Sequence, residues 1–99
     1  MLNIVNKSPF EKTSLASCLR VAGKGGALLL IEDGVYAAVK NSAVESALRG
    51  AMAGMPVYAL QADIEARGLA DRVMDGVKLV GYDGFVDLVA EHGTSQSWL

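Results

Sequence analysis

Cys18, within the stretch TSLASCLR, is the residue best suited to covalent chemistry. It is the only cysteine among 99 residues, so the chain alone can form neither an internal disulfide nor a cysteine metal cluster. A cysteine thiolate can attack sulfane sulfur, but this needs access and a lowered pKa. Arg20 points away from Cys18 on a helix, and the approach of Lys7 or Lys12 would depend on the fold.

The residues around Cys18 have the spacing of a helix. Leu15, Cys18, Leu19 and Ala22 fall within an arc of about 100°, which is the width of an apolar stripe. Cys18 lies at one edge of that arc, on the side of Ser14. This position predicts a thiol at the margin of the buried face, within reach of a neighbouring subunit. Periodicity alone favours a cysteine that packs as a small hydrophobic residue.

Polar side chains follow the predicted strands, at the rim where parallel sheets gather their sites. They are Asn6, Lys7, Ser8, Glu32, Asp33, Gln61, Asp63, Tyr82 and Asp83. Glu32 and Asp33 could bind a metal ion or act as acid and base. The simpler interpretation is that Asp33 caps the next helix and Glu32 faces solvent.

Two further features offer less chemistry. GKGG, residues 23–26, lacks the phosphate-loop pattern and follows a helix, so a helix end with a flexible turn is the preferred interpretation. His92 is the only histidine, and Gly93 after it indicates a helix end, where a charged imidazole suits the helix dipole. We predict no cofactor and no metal site.

Short strands alternate with helices along the chain. The predicted strands are 2–5, 27–31, 57–60 and 77–80. The predicted helices are one capped by Thr13 or Ser14 and running to Ala22, 32–39, one of residues 44–52 after a Ser42–Glu45 capping box, 63–67, and one capped by Asp83 that ends near Gly93. This order predicts a single domain over residues 1–99, a compact three-layer α/β/α fold with a mainly parallel sheet of about four or five strands. The tail TSQSWL is expected to be irregular, with Trp98 partly buried at a subunit contact or against the last helix.

The composition is apolar for so small a chain. Apolar residues make up 52% and the mean hydropathy is +0.30, which predicts exposed apolar patches and hence an oligomer subunit. The net charge of −2, without a run of Lys or Arg, argues against direct nucleic-acid binding. No apolar stretch could span a membrane, and the lone cysteine with no leader-like N-terminus predicts the cytoplasm.

Five blocks of sequence together resemble a known family. They are IVNKSPF near the start, LLLIEDGVYAA at the second strand, ARGL after the third, YDGFVDLV in the last helix and SQSWL at the end. Blocks of this kind, in this order, are similar to those of the DsrH/TusB family, the small subunits of the DsrEFH and TusBCD sulfur-relay complexes.

The resemblance implies an assembly and a pathway. Two homologous subunits, of the DsrE/TusD and DsrF/TusC types, would join this chain in a hexamer with two copies of each. The complex would carry persulfide sulfur, chiefly on a cysteine of the DsrE/TusD-type subunit, and pass it to a DsrC/TusE-type acceptor. The sulfur would serve either tRNA wobble-uridine 2-thiolation or dissimilatory sulfur oxidation.

The resemblance also bears on Cys18. DsrH-type sequences carry a cysteine that lines up with Cys18. The presence of Cys18 therefore favours the DsrH branch, and both pathways stay open. Two hypotheses therefore stand, and they leave open whether the chain is itself catalytic. In the first, Cys18 is a secondary sulfur-carrying thiol; in the second, the chain is a structural subunit that positions its partners and Cys18 is a packing residue.

Overall fold

The architecture is that of a parallel α/β sheet. The structure is a computed structural model that describes residues 1–22 and 25–99. Within them, five parallel strands form one sheet in the order β4-β3-β2-β1-β5. The strands are β1 (Leu2–Val5), β2 (Ala27–Leu30), β3 (Val57–Leu60), β4 (Lys78–Val80) and β5 (Ser95–Trp98). The predicted α/β class and the mainly parallel sheet are confirmed.

Helical segments connect these strands. In the described residues they are α1 (Ser14–Ala22), α2 (Glu45–Ala51), α3 (Gln61–Ala66), α4 (Tyr82–His92) and two 3₁₀ segments, Glu32–Ala38 and Ala70–Arg72. The predicted helices all occur in the predicted order, and most of their boundaries differ by one or two residues, whereas the 3₁₀ segment Ala70–Arg72 was not predicted. Part of the turn predicted at residues 23–26 lies outside the described residues. No helix among those described is long and apolar enough to cross a membrane.

The sheet separates two apolar cores. Leu28 and Leu30 of β2 pack in a core with residues of α1, α2, α3 and the first 3₁₀ segment. Ala27 and Leu29 point the other way and pack with Leu88 of α4. The continuous apolar run in β2 is therefore explained by helices on both faces of the sheet, which is the expected three-layer arrangement.

The C-terminal tail is not irregular, as the sequence predicted, but forms β5. Leu2 pairs with Ser95 and Val5 with Trp98 in a parallel ladder along one edge of the sheet. Ser95–Ser97 are exposed, so this edge strand has no apolar alternation to reveal it. Backbone pairing with β1 and the half-buried Trp98 hold it in place.

The predicted capping box of α2 is wrong. The helix begins at Glu45 after Val44, without a side-chain cap, and the Ser42 hydroxyl oxygen is buried without a hydrogen-bond partner. Asn41, at φ 62°, donates its backbone N–H to Glu45 Oε1 at 2.9 Å. The Glu45 carboxylate thus accepts from the backbone of Asn41, which lies in a left-handed turn one residue before Ser42.

The ends of α4 also correct one expectation. Gly81 precedes the helix and Asp83 lies in its first turn without capping it by a side-chain hydrogen bond. The carboxylate there still favours the helix dipole. Gly93, at φ 71° in the left-handed region, follows His92, which confirms the predicted helix end.

Candidate functional site around Cys18 and the strand ends

Cys18 lies wholly inside the protein. It is a free thiol, its side chain is 0% exposed, and it belongs to the core on the α1 face. The expected place at the margin of the buried face is therefore wrong for the lone chain. On this face of the sheet α1 contacts both β1 and β5, and Trp98 packs against the same core as Cys18.

This environment makes the thiol a weak nucleophile. Burial raises the pKa of Cys18 to about 11, since desolvation disfavours the thiolate. At pH 7 about one molecule in ten thousand would carry the thiolate, the form that attacks sulfur. In the conformation described, Cys18 is both out of reach and protonated.

His92 does not assist Cys18. The histidine ends α4, which packs on one face of the sheet, whereas Cys18 belongs to the core on the opposite face. The structure thus forms no cysteine–histidine pair from these two residues. Among the described residues, no group of three His, Cys, Asp or Glu side chains could hold a metal ion.

The rim at the carboxyl ends of the strands is organised by Arg67. Its Nε and Nη2 donate to Asp33 Oδ1 at 3.0 and 2.9 Å, and its Nη1 lies 3.6 Å from Asp63 Oδ1. The hydrogen bond to Asp33, with the nearby charges, raises the pKa of Arg67. Asp33 therefore binds Arg67 instead of capping the 3₁₀ segment, whose cap position is Ile31, and that expectation is wrong.

Glu32 is fixed by its backbone more than by its side chain. At φ 50° it donates its backbone N–H to Asp63 Oδ2 at 2.8 Å, while Asn6 Nδ2 lies 3.5 Å from Glu32 Oε2. Its side chain is exposed, as expected. Two residues on, a Cβ at Gly34 would collide with the Val5 carbonyl oxygen. The IEDG turn thus packs tightly on the end of β1.

The rim brings together only part of its predicted set. Asn6, Glu32, Asp33 and Asp63 form the network described above. Among the others, Ser8 Oγ accepts from the Phe10 backbone N–H at 3.2 Å, Gln61 donates to Glu65 at 3.2 Å, and Tyr82 and Asp83 are exposed on α4. The sequence analysis missed Arg67, although its place four residues after Asp63 was a usable signal.

The distribution of apolar surface agrees with the composition. Trp98 is partly buried as predicted. Of its two expected contacts, the one with the last helix is wrong, because Trp98 packs with the core opposite α4, and the one with another subunit stays a prediction. Large apolar side chains remain exposed on both faces of the molecule, including Val21 of α1 at 65% and Val86 of α4 at 67%. Such surface is typical of subunits that assemble.

The comparisons with known proteins agree over nearly the whole chain. Residues 7–95 match the family model described as DsrH like protein. The chain is 40% identical to Protein TusB of Enterobacter sp. (strain 638), over 99% of this chain and 100% of that protein. It is 38% identical to Protein TusB of Escherichia coli (strain K12 / DH10B), with the same coverage.

The fold is similar to that of a solved structure. The ychN protein from E. coli superposes with a TM-score of 0.82, and the match covers 97% of each chain at 18% sequence identity. At this level of identity the likeness concerns the fold alone.

Proposed function

We propose that this chain, which belongs to the DsrH family and is a subunit of a sulfur-relay complex, has a structural role in that complex. It positions the subunit that bears the persulfide. The family model covers most of the chain, and full-length relatives at 38–40% identity are called TusB. The name TusB favours the tRNA-thiolation branch, whereas the presence of Cys18 favoured the sulfur-oxidation branch. The proposed end product is the 2-thiolated wobble uridine of certain tRNAs.

The proposed partners are those that the family resemblance implies. A DsrE/TusD-like and a DsrF/TusC-like subunit would form a hetero-hexamer with this chain in the cytoplasm, and a DsrC/TusE-like protein would accept the sulfur. The exposed apolar side chains on both faces of the sheet support such an assembly. The acidic net charge of −2 supports a role without direct contact to the tRNA.

The burial of Cys18 is the observation that carries the structural role. A relay thiol must meet the donor's outer sulfur and must be ionised to attack it. Cys18 is 0% exposed, and burial raises its pKa to about 11. Both properties are those of a packing residue.

Sulfur carriage by Cys18 is the second candidate. Its thiolate would attack the outer sulfur of a donor persulfide and form the Cys18 persulfide, while the donor leaves as a thiolate. A crevice of about 130 Å³ between α1 and α2 is lined by Lys12 and by Leu15 and Leu19, the helical neighbours of Cys18, but not by Cys18 itself. Sulfur carriage would therefore require the thiol to become exposed in this crevice. The family match and the relatives do not decide between the two roles.

Mass spectrometry of the intact chain separates the two candidates. We expect no gain of about 32 Da, one sulfur atom, when the folded chain alone is incubated with a persulfide donor. The same chain in denaturant should load, which controls for the donor, and Cys18→Ser should load in neither condition. Rapid loading of the folded wild-type chain would overturn the structural role and establish the carrier.

A further inference from the structure

The outer surface of α4 carries exposed apolar side chains, although this surface does not face the sheet. Tyr82, Val86, Val89 and Ala90 are all exposed, with Tyr82 at 64% and Val86 at 67%. At 100° per residue these four fall on one side of the helix, which we call the α4 outer face. They line a shallow groove of about 480 Å³ together with Phe85.

The sheet-facing side of α4 adjoins this face through Phe85. Leu88 is buried in the core beneath the helix, and Phe85 packs against that core. An amphipathic helix that covers a sheet on one side normally turns polar residues to solvent. Here the apolar arc continues around to the outer face, so α4 is apolar on two sides.

An acidic row borders the outer face along one edge. Asp83, Asp87 and Glu91 recur every four residues and therefore follow one line along the helix. All three are exposed, and none forms an ion pair with a basic residue in the ranges 1–22 and 25–99. The row is available to a partner with positive charge.

We propose that the α4 outer face binds an amphipathic helix of another protein, whose apolar stripe lies in the groove and whose flanking Lys or Arg row pairs with the acidic row. The eleven residues of α4 span about 16 Å, which matches roughly three turns of a partner helix. Helix-in-groove recognition uses anchors at this spacing. The charged edge then selects the partner and its orientation.

The same charges disfavour other occupants. Two copies of α4 paired antiparallel about a two-fold axis would bring both acidic rows to the same edge, where like charges repel. An anionic membrane surface would be repelled in the same way. A basic amphipathic protein segment is the occupant that satisfies both the groove and the row. This inference is independent of the role proposed for Cys18.

Two synthetic 14-residue amphipathic peptides test the proposal on the full chain. They share one Leu stripe and differ in the flanking row, which is Lys in one and Glu in the other. We expect the Lys peptide to bind and to shift backbone amide resonances of residues 82–91 in NMR spectra. Binding should weaken as salt rises, because the ion pairs are exposed, and the Glu peptide should bind at least about tenfold more weakly.

A charge exchange makes the test specific. Asp87→Lys together with Glu91→Lys leaves the first turn of α4 unchanged and should exchange the preference of the two peptides. Asp71→Lys together with Asp75→Lys, two exposed changes of the same total charge outside α4, should preserve the wild-type preference. Equal binding of both peptides, no shift on α4, or self-association that Val86→Ser abolishes would each overturn the proposed occupant.

Discussion

Trp98 Nε1 donates a hydrogen bond to Asn3 Oδ1 at 3.1 Å across 95 residues of sequence. Asn3 is only 4% exposed, and its Nδ2 donates to the Ala27 carbonyl oxygen at 3.3 Å. One buried amide therefore connects the first strand, the second strand and the C-terminal strand. Trp98 packs against the core that also contains Cys18.

Substitution Trp98→Phe tests this link. It keeps an aromatic ring but removes the donor, so Asn3 Oδ1 is left without a partner in a buried place. We expect the free energy of unfolding to fall by about 1–3 kcal/mol, measured by urea denaturation. Deletion of Leu99, which is 80% exposed, is the matched control and should change little. Equal stability of both variants would show that the hydrogen bond is not needed.

Alkaline pH tests the burial of Cys18. The pKa of the Cys18 thiol is near its ordinary value of 9.0 in the unfolded chain, and burial raises it to about 11 in the folded chain. Because the unfolded state loses its proton first, stability is unaffected below about pH 9 and falls as pH rises from about 9 to 11. The loss amounts to about 2–3 kcal/mol, from about 1.4 kcal/mol per pKa unit.

The variant Cys18→Ala isolates that contribution from the tyrosines and lysines that titrate in the same range. The difference in unfolding free energy between wild type and variant should shrink as pH rises to 11. A difference that stays constant would mean that the folded thiol ionises as readily as the unfolded one, which would contradict its burial.

Several features could be predicted from sequence because their signals are local. The apolar run in β2, the helical spacing around Cys18 and the helix end at Gly93 each depend on neighbouring residues, and each was confirmed. The strand β5 could not be predicted, since Ser95–Ser97 are polar and exposed and only the distant β1 makes them a strand. The full burial of Cys18 was missed as well, because it depends on how α1 packs on the sheet.

The rim shows the same limit. The residues at the strand ends could be named because parallel strands end together. The pairing of Asp33 with Arg67, which are 34 residues apart, depends on how α3 returns over the sheet. No local pattern distinguishes that pair from a helix cap, and the simpler interpretation of Asp33 was wrong for this reason.

Gly34→Ala should be strongly destabilising. A Cβ there would collide with the Val5 backbone carbonyl oxygen, and backbone cannot move aside as a flexible side chain can. We expect a loss of about 2–4 kcal/mol or failure to fold, measured by thermal melting. Gly50→Ala is the matched control, because nothing lies within 4 Å of its added Cβ. That change should stabilise α2 by up to about 1 kcal/mol, and an equal effect at both sites would refute the close packing.

Arg67→Ala should weaken the rim modestly. The Arg67 side chain is 22% exposed but its Asp33 partner is 57% exposed, so solvent screens the pair. We expect a loss of about 1 kcal/mol that diminishes in high salt. Arg49→Ala removes a longer, exposed contact to Glu45 at 3.8 Å and should cost less. A larger loss at Arg49 would mean that the Arg67 network does not stabilise the strand ends.

Sulfur transfer by the reconstituted relay complex shows directly whether this chain is a structural subunit. The complex would combine this chain with its DsrE/TusD-like and DsrF/TusC-like partners, and labelled sulfur reaching the acceptor protein would be measured. With Cys18→Ala in place of the wild-type chain, we expect the complex to assemble and to transfer sulfur at an unchanged rate. Intact assembly with transfer reduced about tenfold or more would contradict this expectation and assign Cys18 to the relay.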